Sequence, residues 1–158
     1  MTKPKRAILD YVGDNIQSLI DHVPHAAAIG MRVADVKPDE AWIKIPYAEN
    51  LVGNPETKIV HGGVITTLLD NAAGIAVMAA LEEVTSIATL DLRIDYMKPA
   101  TPGREITGHA HCYKVTQNVA FARCVAYHDD PNDPIATAVG SFMLAANRSL
   151  PAVMSVEG

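Results

Sequence analysis

Hydrophobic and polar positions divide this chain into segments of different period. Between residues 6 and 21 the apolar positions Ile8, Leu9, Val12, Ile16, Leu19 and Ile20 recur at helical spacing, which predicts an amphipathic helix that Pro24 ends. Residues 31–36 and 41–47 read as two short strands joined by Lys37-Pro38-Asp39-Glu40, with Pro38 suited to the second turn position. Residues 49–58 form a polar loop holding Gly53, Asn54 and Pro55. From 63 to 81 the chain is uncharged except at Asp70, a pattern that predicts one long buried helix.

Strands follow. Residues 89–96 alternate polar and apolar without exception, so one face is expected to be buried and the other wet. The loop Lys98-Pro99-Ala100-Thr101-Pro102-Gly103 breaks that strand, and residues 104–113, 119–127 and 135–145 supply three more. Alternate positions Ala120, Ala122, Cys124 and Ala126, then Ala136, Ala138 and Gly140, are nearly all small. Such a face lets a helix approach a sheet closely. The order is helix, hairpin, long helix, then four strands in meander. It predicts an α+β fold, an antiparallel sheet of about six strands wrapped around one apolar helix.

Composition adds bounds. With 158 residues the chain is read as a single domain, 1–158: an N-terminal helix over 1–24, a core over 25–147 and a loosely ordered tail over 148–158. A net charge of −5, with no basic run beyond residues 3–6, argues against a nucleic-acid partner. Cys112 and Cys124 lack metal-ligand spacing; they could face each other across a hairpin near Asn118, and are read as reduced core residues. The start shows no apolar leader, and Thr66, Thr67, Asp70 and Asn71 interrupt the 63–81 segment, so neither export nor membrane insertion is expected. A cytoplasmic location is the default.

Candidate chemistry concentrates on the long helix. A carboxylate in an apolar helix is costly to bury, so Asp70 needs either a partner, such as Arg93 or Arg123, or a chemical task. The turn Val60-His61-Gly62-Gly63 opens the same helix and leaves backbone N–H groups that could receive a developing negative charge. The same glycines could simply permit close packing. Gly62 and Asp70 stand eight residues apart, about 12 Å along one helix. A side chain cannot span that. If both serve one reaction they come from different chains, in an antiparallel pair of helices. His61 fits a turn-fixing role better than proton transfer, and Asn71 points about 100° away from Asp70 round the helix.

Several stretches together resemble the hotdog-fold acyl-CoA thioesterases, in particular the phenylacetyl-CoA thioesterase (PaaI-like) branch. They are Asn54, the run from Val60 through His61, Gly62 and Gly63 to Asp70, and Thr89-x-Asp91-x-x-Ile94-x-Tyr96-Met97-Lys98-Pro99-Ala100. The likeness covers roughly residues 30–146. It implies a hotdog fold, and a dimer or dimer of dimers with sites at the dimer interface. It also implies the Gly62 N–H as oxyanion donor, Asp70 as general base or nucleophile, Thr89 as a holder of the attacking water and Asn54 near the carbonyl. His61 belongs to the same catalytic turn.

The substrate so implied is an aryl- or short/medium-chain acyl-CoA, hydrolysed without a cofactor. Gly63, Lys98 and Lys114 are candidates to bind it, the lysines through the phosphates of coenzyme A. His22, His25, His109, His111 and His128 form no metal-ligand set, although His109 and His111 share a strand face. Two other functions fit the same residues: a hotdog hydratase or dehydratase, and a non-catalytic acyl-CoA sensor.

Overall fold

A computed structural model describes residues 7–145; the basic start and the tail over 148–158 lie outside the described residues. Three short helices come first, α1 (Ala7–Val12), α2 (Ser18–Asp21) and α3 (Pro24–Ala28). They replace the single helix expected over 6–21. Gly13 takes φ 56°, and its N–H bonds to the Leu9 carbonyl, a left-handed stop that closes α1. Pro24 starts α3 instead of ending a helix, because its missing N–H costs nothing in a first turn.

Strands β1 (Arg32–Lys37) and β2 (Glu40–Ile45) make the expected hairpin, turned at Pro38-Asp39 with Asp39 at φ 60°. The predicted polar loop contains a 3₁₀ turn, Glu49–Leu51, and a small hairpin of β3 (Val52–Asn54) and β4 (Ile59–Val60). Then come α4 (Gly62–Ala80), β5 (Ile87–Tyr96), β6 (Ile106–Val115), β7 (Val119–Tyr127) and β8 (Ala136–Leu144).

The main sheet has six strands, ordered β1-β2-β6-β7-β8-β5, with every neighbouring pair antiparallel. Only β6, β7 and β8 form a meander. β5 crosses to the far edge and pairs with β8, so the expected four-strand meander is corrected. The sheet wraps α4, which buries nine residues and packs chiefly on β2, β6 and β7. This is the hotdog arrangement. By length and composition alone α4 could cross a membrane, but here it forms the core of the sheet.

Small residues set the helix-to-sheet distance as expected. Ala110, Ala120, Ala122, Ala126 and Ala136 are fully buried, and a Cβ added to Gly108 would lie 2.8 Å from Leu68 Cγ. Cys112 registers with Ala122 and Cys124 with Ala110, and both thiols are free and buried.

β5 departs from its sequence pattern. Its register with β8 slips between Thr89 and Asp91: Thr89 sits opposite Phe142, Asp91 opposite Ser141, and Leu90 is the extra residue. The strict alternation therefore fails at Leu90, which is 53% exposed. Such a bulge moves everything before it to the opposite face. Thr89 and Ile87 consequently share the helix-facing side with Leu92 and Ile94, whose partners Gly140 and Ala138 line the buried face of β8.

Candidate active site

At the N-terminus of α4 the backbone is fixed from several sides. His61 is the N-cap, at φ −61° and ψ 135°, and its Nδ1 accepts the Gly63 N–H at 2.9 Å. An Nδ1 that accepts leaves the ring proton on Nε2. His61 therefore holds the turn, and Gly63's N–H is already occupied. Gly62's N–H has no hydrogen-bond partner among the described residues. Tyr96 Oη donates to the Gly62 carbonyl at 2.9 Å and lies 2.7 Å from Thr66 Oγ1, while its ring covers Gly62. Gly53 backs the turn so closely that an added Cβ would come within 2.9 Å of His61 Cα.

Eight residues further along, Asp70 is half-buried and its Oδ1 accepts the Thr89 hydroxyl at 2.9 Å. The bulge at Leu90 makes this bond possible by turning Thr89 inward. Arg93 pairs with Asp95 and Arg123 contacts His111, so neither arginine meets Asp70. Cys124 lies buried nearby, its Sγ directed at the Leu69 carbonyl. Burial, aided by the Asp70 charge, pushes that thiol up to about 12.

The other expected residues divide. Asn54 accepts the N–H groups of Glu56 and Thr57 through Oδ1, which makes it the turn former of the β3–β4 hairpin. Asn71 donates to the Thr67 carbonyl one helical turn back. Lys98 is ion-paired with Asp133. Lys114 shares a row of the sheet with Phe121, Ser141 and Asp91, whereas Lys98 follows Tyr96, about 17 Å further along β5. Within one chain the two lysines cannot meet one phosphate group.

Gly62 and Asp70 open onto separate cavities. Gly62 lines one of about 300 Å³ with Ile65, Tyr96 and Met97. Asp70 lines another of about 280 Å³ with Thr89, Gly74, Ile87 and Phe142. Among the described residues no group of His, Cys, Asp or Glu side chains is arranged to hold a metal ion. Tyr96 belongs to the motif but was not among the expected site residues, and it anchors the Gly62 carbonyl. Its signal was present as the last residue of the alternating strand, in the Tyr-Met-Lys-Pro run.

Residues 57–135 match the model of the thioesterase superfamily. A protein of Halobacterium salinarum named as an esterase is 39% identical over 88 residues, which is 54% of this chain and 58% of that one. The medium/long-chain acyl-CoA thioesterase YigI of Escherichia coli is 28% identical over 141 residues, covering 81% of this chain and 90% of the relative. Among solved structures, a Pseudomonas aeruginosa protein superposes with TM-score 0.75 at 41% identity, over 86% of this chain and 98% of the other. The fold recurs in the phenylacetic acid degradation protein PaaI of Thermus thermophilus, at TM-score 0.67 and 21% identity over 76% and 97% of the two chains. With its sheet, its central helix and this match, the chain belongs to the thioesterase superfamily.

Proposed function

We propose that the protein is an acyl-CoA thioesterase that works as a homo-oligomer. The observation that carries this reading is the Asp70–Thr89 pair, a carboxylate oriented by a hydroxyl at 2.9 Å over an apolar cavity. The YigI relative, named for acyl-CoA hydrolysis and matched over most of its length, supports the reaction class.

The chemistry follows from the groups available. A thioester carbonyl at the start of α4 receives a hydrogen bond from the Gly62 N–H, which strengthens as the oxygen becomes negative. Asp70 takes a proton from water as the water oxygen bonds to the carbonyl carbon. The carbon–sulfur bond then breaks, coenzyme A leaves as its thiolate and takes up a proton, and the free acid remains. Asp70 attacking directly, to give an anhydride that water opens, uses the same atoms. Thiolate leaves readily, so the site needs no strong acid.

Gly62 and Asp70 of one α4 are about 12 Å apart and line different cavities, so each site combines Gly62 of one protomer with Asp70 of another. Among the lysines proposed for the coenzyme phosphates, Lys98 has an ion pair to break first.

The test is release of coenzyme A thiol from aryl and alkyl acyl-CoAs by wild type and Asp70→Asn. Turnover on some member, lowered by about 10²–10⁴ in the variant while acyl-CoA still binds, is the expected result. A folded wild-type protein that binds acyl-CoA without turnover would make it a sensor instead.

A further inference from the structure

The cavity at Asp70 has a polar end and an apolar body. Asp70, Asn71 and Thr89 sit at one end, and Leu19, Ile75, Met78, Ile87 and Phe142 line the rest. Along α4 the lining residues fall at 70–71, 74–75 and 78, one stripe running down the helix at intervals of about a turn. From Asp70 to Met78 that stripe is about 12 Å long. An extended alkyl chain of about nine or ten carbons has that length at standard carbon–carbon distances.

Gly74, midway along the stripe, calls for an explanation. Glycine in a helix interior costs about 0.8–1 kcal/mol relative to alanine. Packing within the chain does not require it, since an added Cβ would meet Ile87 Cδ1 at 3.5 Å and Phe142 Cε1 at 4.0 Å, ordinary contacts. Nor does the backbone, because Gly74 is not among the residues at positive φ. What the missing side chain leaves is floor space in the middle of the cavity. Part of the lining comes from outside the sheet-and-helix core: Leu19 of α2, buried to 3% exposure, and Val23 just before α3.

We infer that this groove takes the acyl chain of a medium-chain substrate and that Gly74, in a lining shared with the N-terminal helices, sets how long that chain can be. The inference rests on the thioesterase reading and deepens it. The broad expectation of an aryl or short/medium acyl group narrows to a linear alkyl chain. Leu19 and Phe142 are held by packing, whereas Met78 at the far end is a flexible side chain that can adapt to the last carbons.

The experiment is kcat/KM on butyryl-, octanoyl-, decanoyl- and hexadecanoyl-CoA for wild type, Gly74→Ala and Gly74→Leu. A second readout is calorimetric binding of decanoyl- and butyryl-CoA to the same changes made in Asp70→Asn. Wild type should peak at octanoyl or decanoyl. Gly74→Leu should lower the decanoyl-to-butyryl ratio tenfold or more in both kinetics and binding, with Gly74→Ala between. If Gly74→Leu does not fold, the alanine variant carries the test, since its Cβ meets only ordinary contacts. An unchanged ratio, equal loss for every chain length, or a wild-type optimum on butyryl-CoA overturns the inference. If wild type releases no coenzyme A from any substrate, the thioesterase reading fails. The binding ratio still decides whether the groove measures chain length.

Discussion

The Gly62 N–H can be deleted almost without touching anything else. Gly62 is the first residue of α4, the helical position where proline is best tolerated, and His61 before it already has the extended ψ of 135° that a following proline demands. Gly62→Pro is therefore expected to fold normally by circular dichroism. It should lose about 10²–10³ in kcat, the usual effect of removing one oxyanion donor. A folded Gly62→Pro with full activity would remove Gly62 from the mechanism.

The two thiols make a separate prediction. Burial raises Cys112 to about 11, and burial with the Asp70 charge raises Cys124 to about 12. Below the ordinary thiol range both folded and unfolded chains keep these protons, so stability is unaffected. Above about pH 9 the unfolded chain ionises while the folded one resists, and stability falls as pH rises toward 11–12. Urea midpoints between pH 8 and 10.5 should show the decline, and it should shrink in Cys112→Ala/Cys124→Ala.

Single residues also mark where sequence reasoning stops. Asp70 could be found because no other ionisable group lies between residues 63 and 81. Lys98 could not be assigned, since its partner Asp133 is remote in sequence and meets it only through the fold. Asn54 shows a side chain of the right type committed to a local turn, a competition that spacing cannot reveal.

Among the elements, those with an unambiguous period were the legible ones. β7 was expected over 119–127 and occupies Val119–Tyr127, and α4 begins one residue before its expected start. The N-terminal pattern was helical in period yet split by Gly13, because a left-handed stop depends on backbone geometry that periodicity does not record. The crossing of β5 to the far edge was equally hidden, since strand order is a tertiary choice. Packing between elements gives the next prediction. With an added Cβ 2.8 Å from Leu68 Cγ, Gly108→Ala should force α4 and β6 apart and cost about 1–3 kcal/mol, read from the denaturant midpoint. The groove variant Gly74→Ala, by contrast, should raise that midpoint, because it improves helix propensity without a clash.

For the whole molecule, the proposed assembly predicts complementation. If each site takes Gly62 from one protomer and Asp70 from another, Asp70→Asn and Gly62→Pro are each inactive for different reasons. Mixed and reassembled in equal amounts, half the dimers are heterodimers, each holding one intact site and one doubly impaired site. Activity should return to about a quarter of wild type. Recovery requires exchange of subunits, which mass spectrometry of the mixture would verify. Mixed dimers that form without any recovery would mean that both groups act within one chain or in different steps.

The bulge in β5 bears on how this chain can change over time. Leu90 works like an inserted frame in a repeating pattern: every residue ahead of it is read on the opposite face from the one its parity assigns. Losing that one residue leaves the strand in place at the sheet's edge, where the ladder has a partner on one side only. It would also leave Thr89 opposite Phe142 and Asp91 opposite Ser141, now as consecutive residues of a regular ladder, so that Thr89 still faces the helix and its hydroxyl still reaches Asp70. A chain lacking Leu90 should thus fold with nearly unchanged circular dichroism and keep most of its turnover, and a folded deletion variant without activity would mean that the bulge itself matters to the site. Presence or absence of one exposed residue at this point is then a change the fold can absorb over time without surrendering its carboxylate–hydroxyl pair.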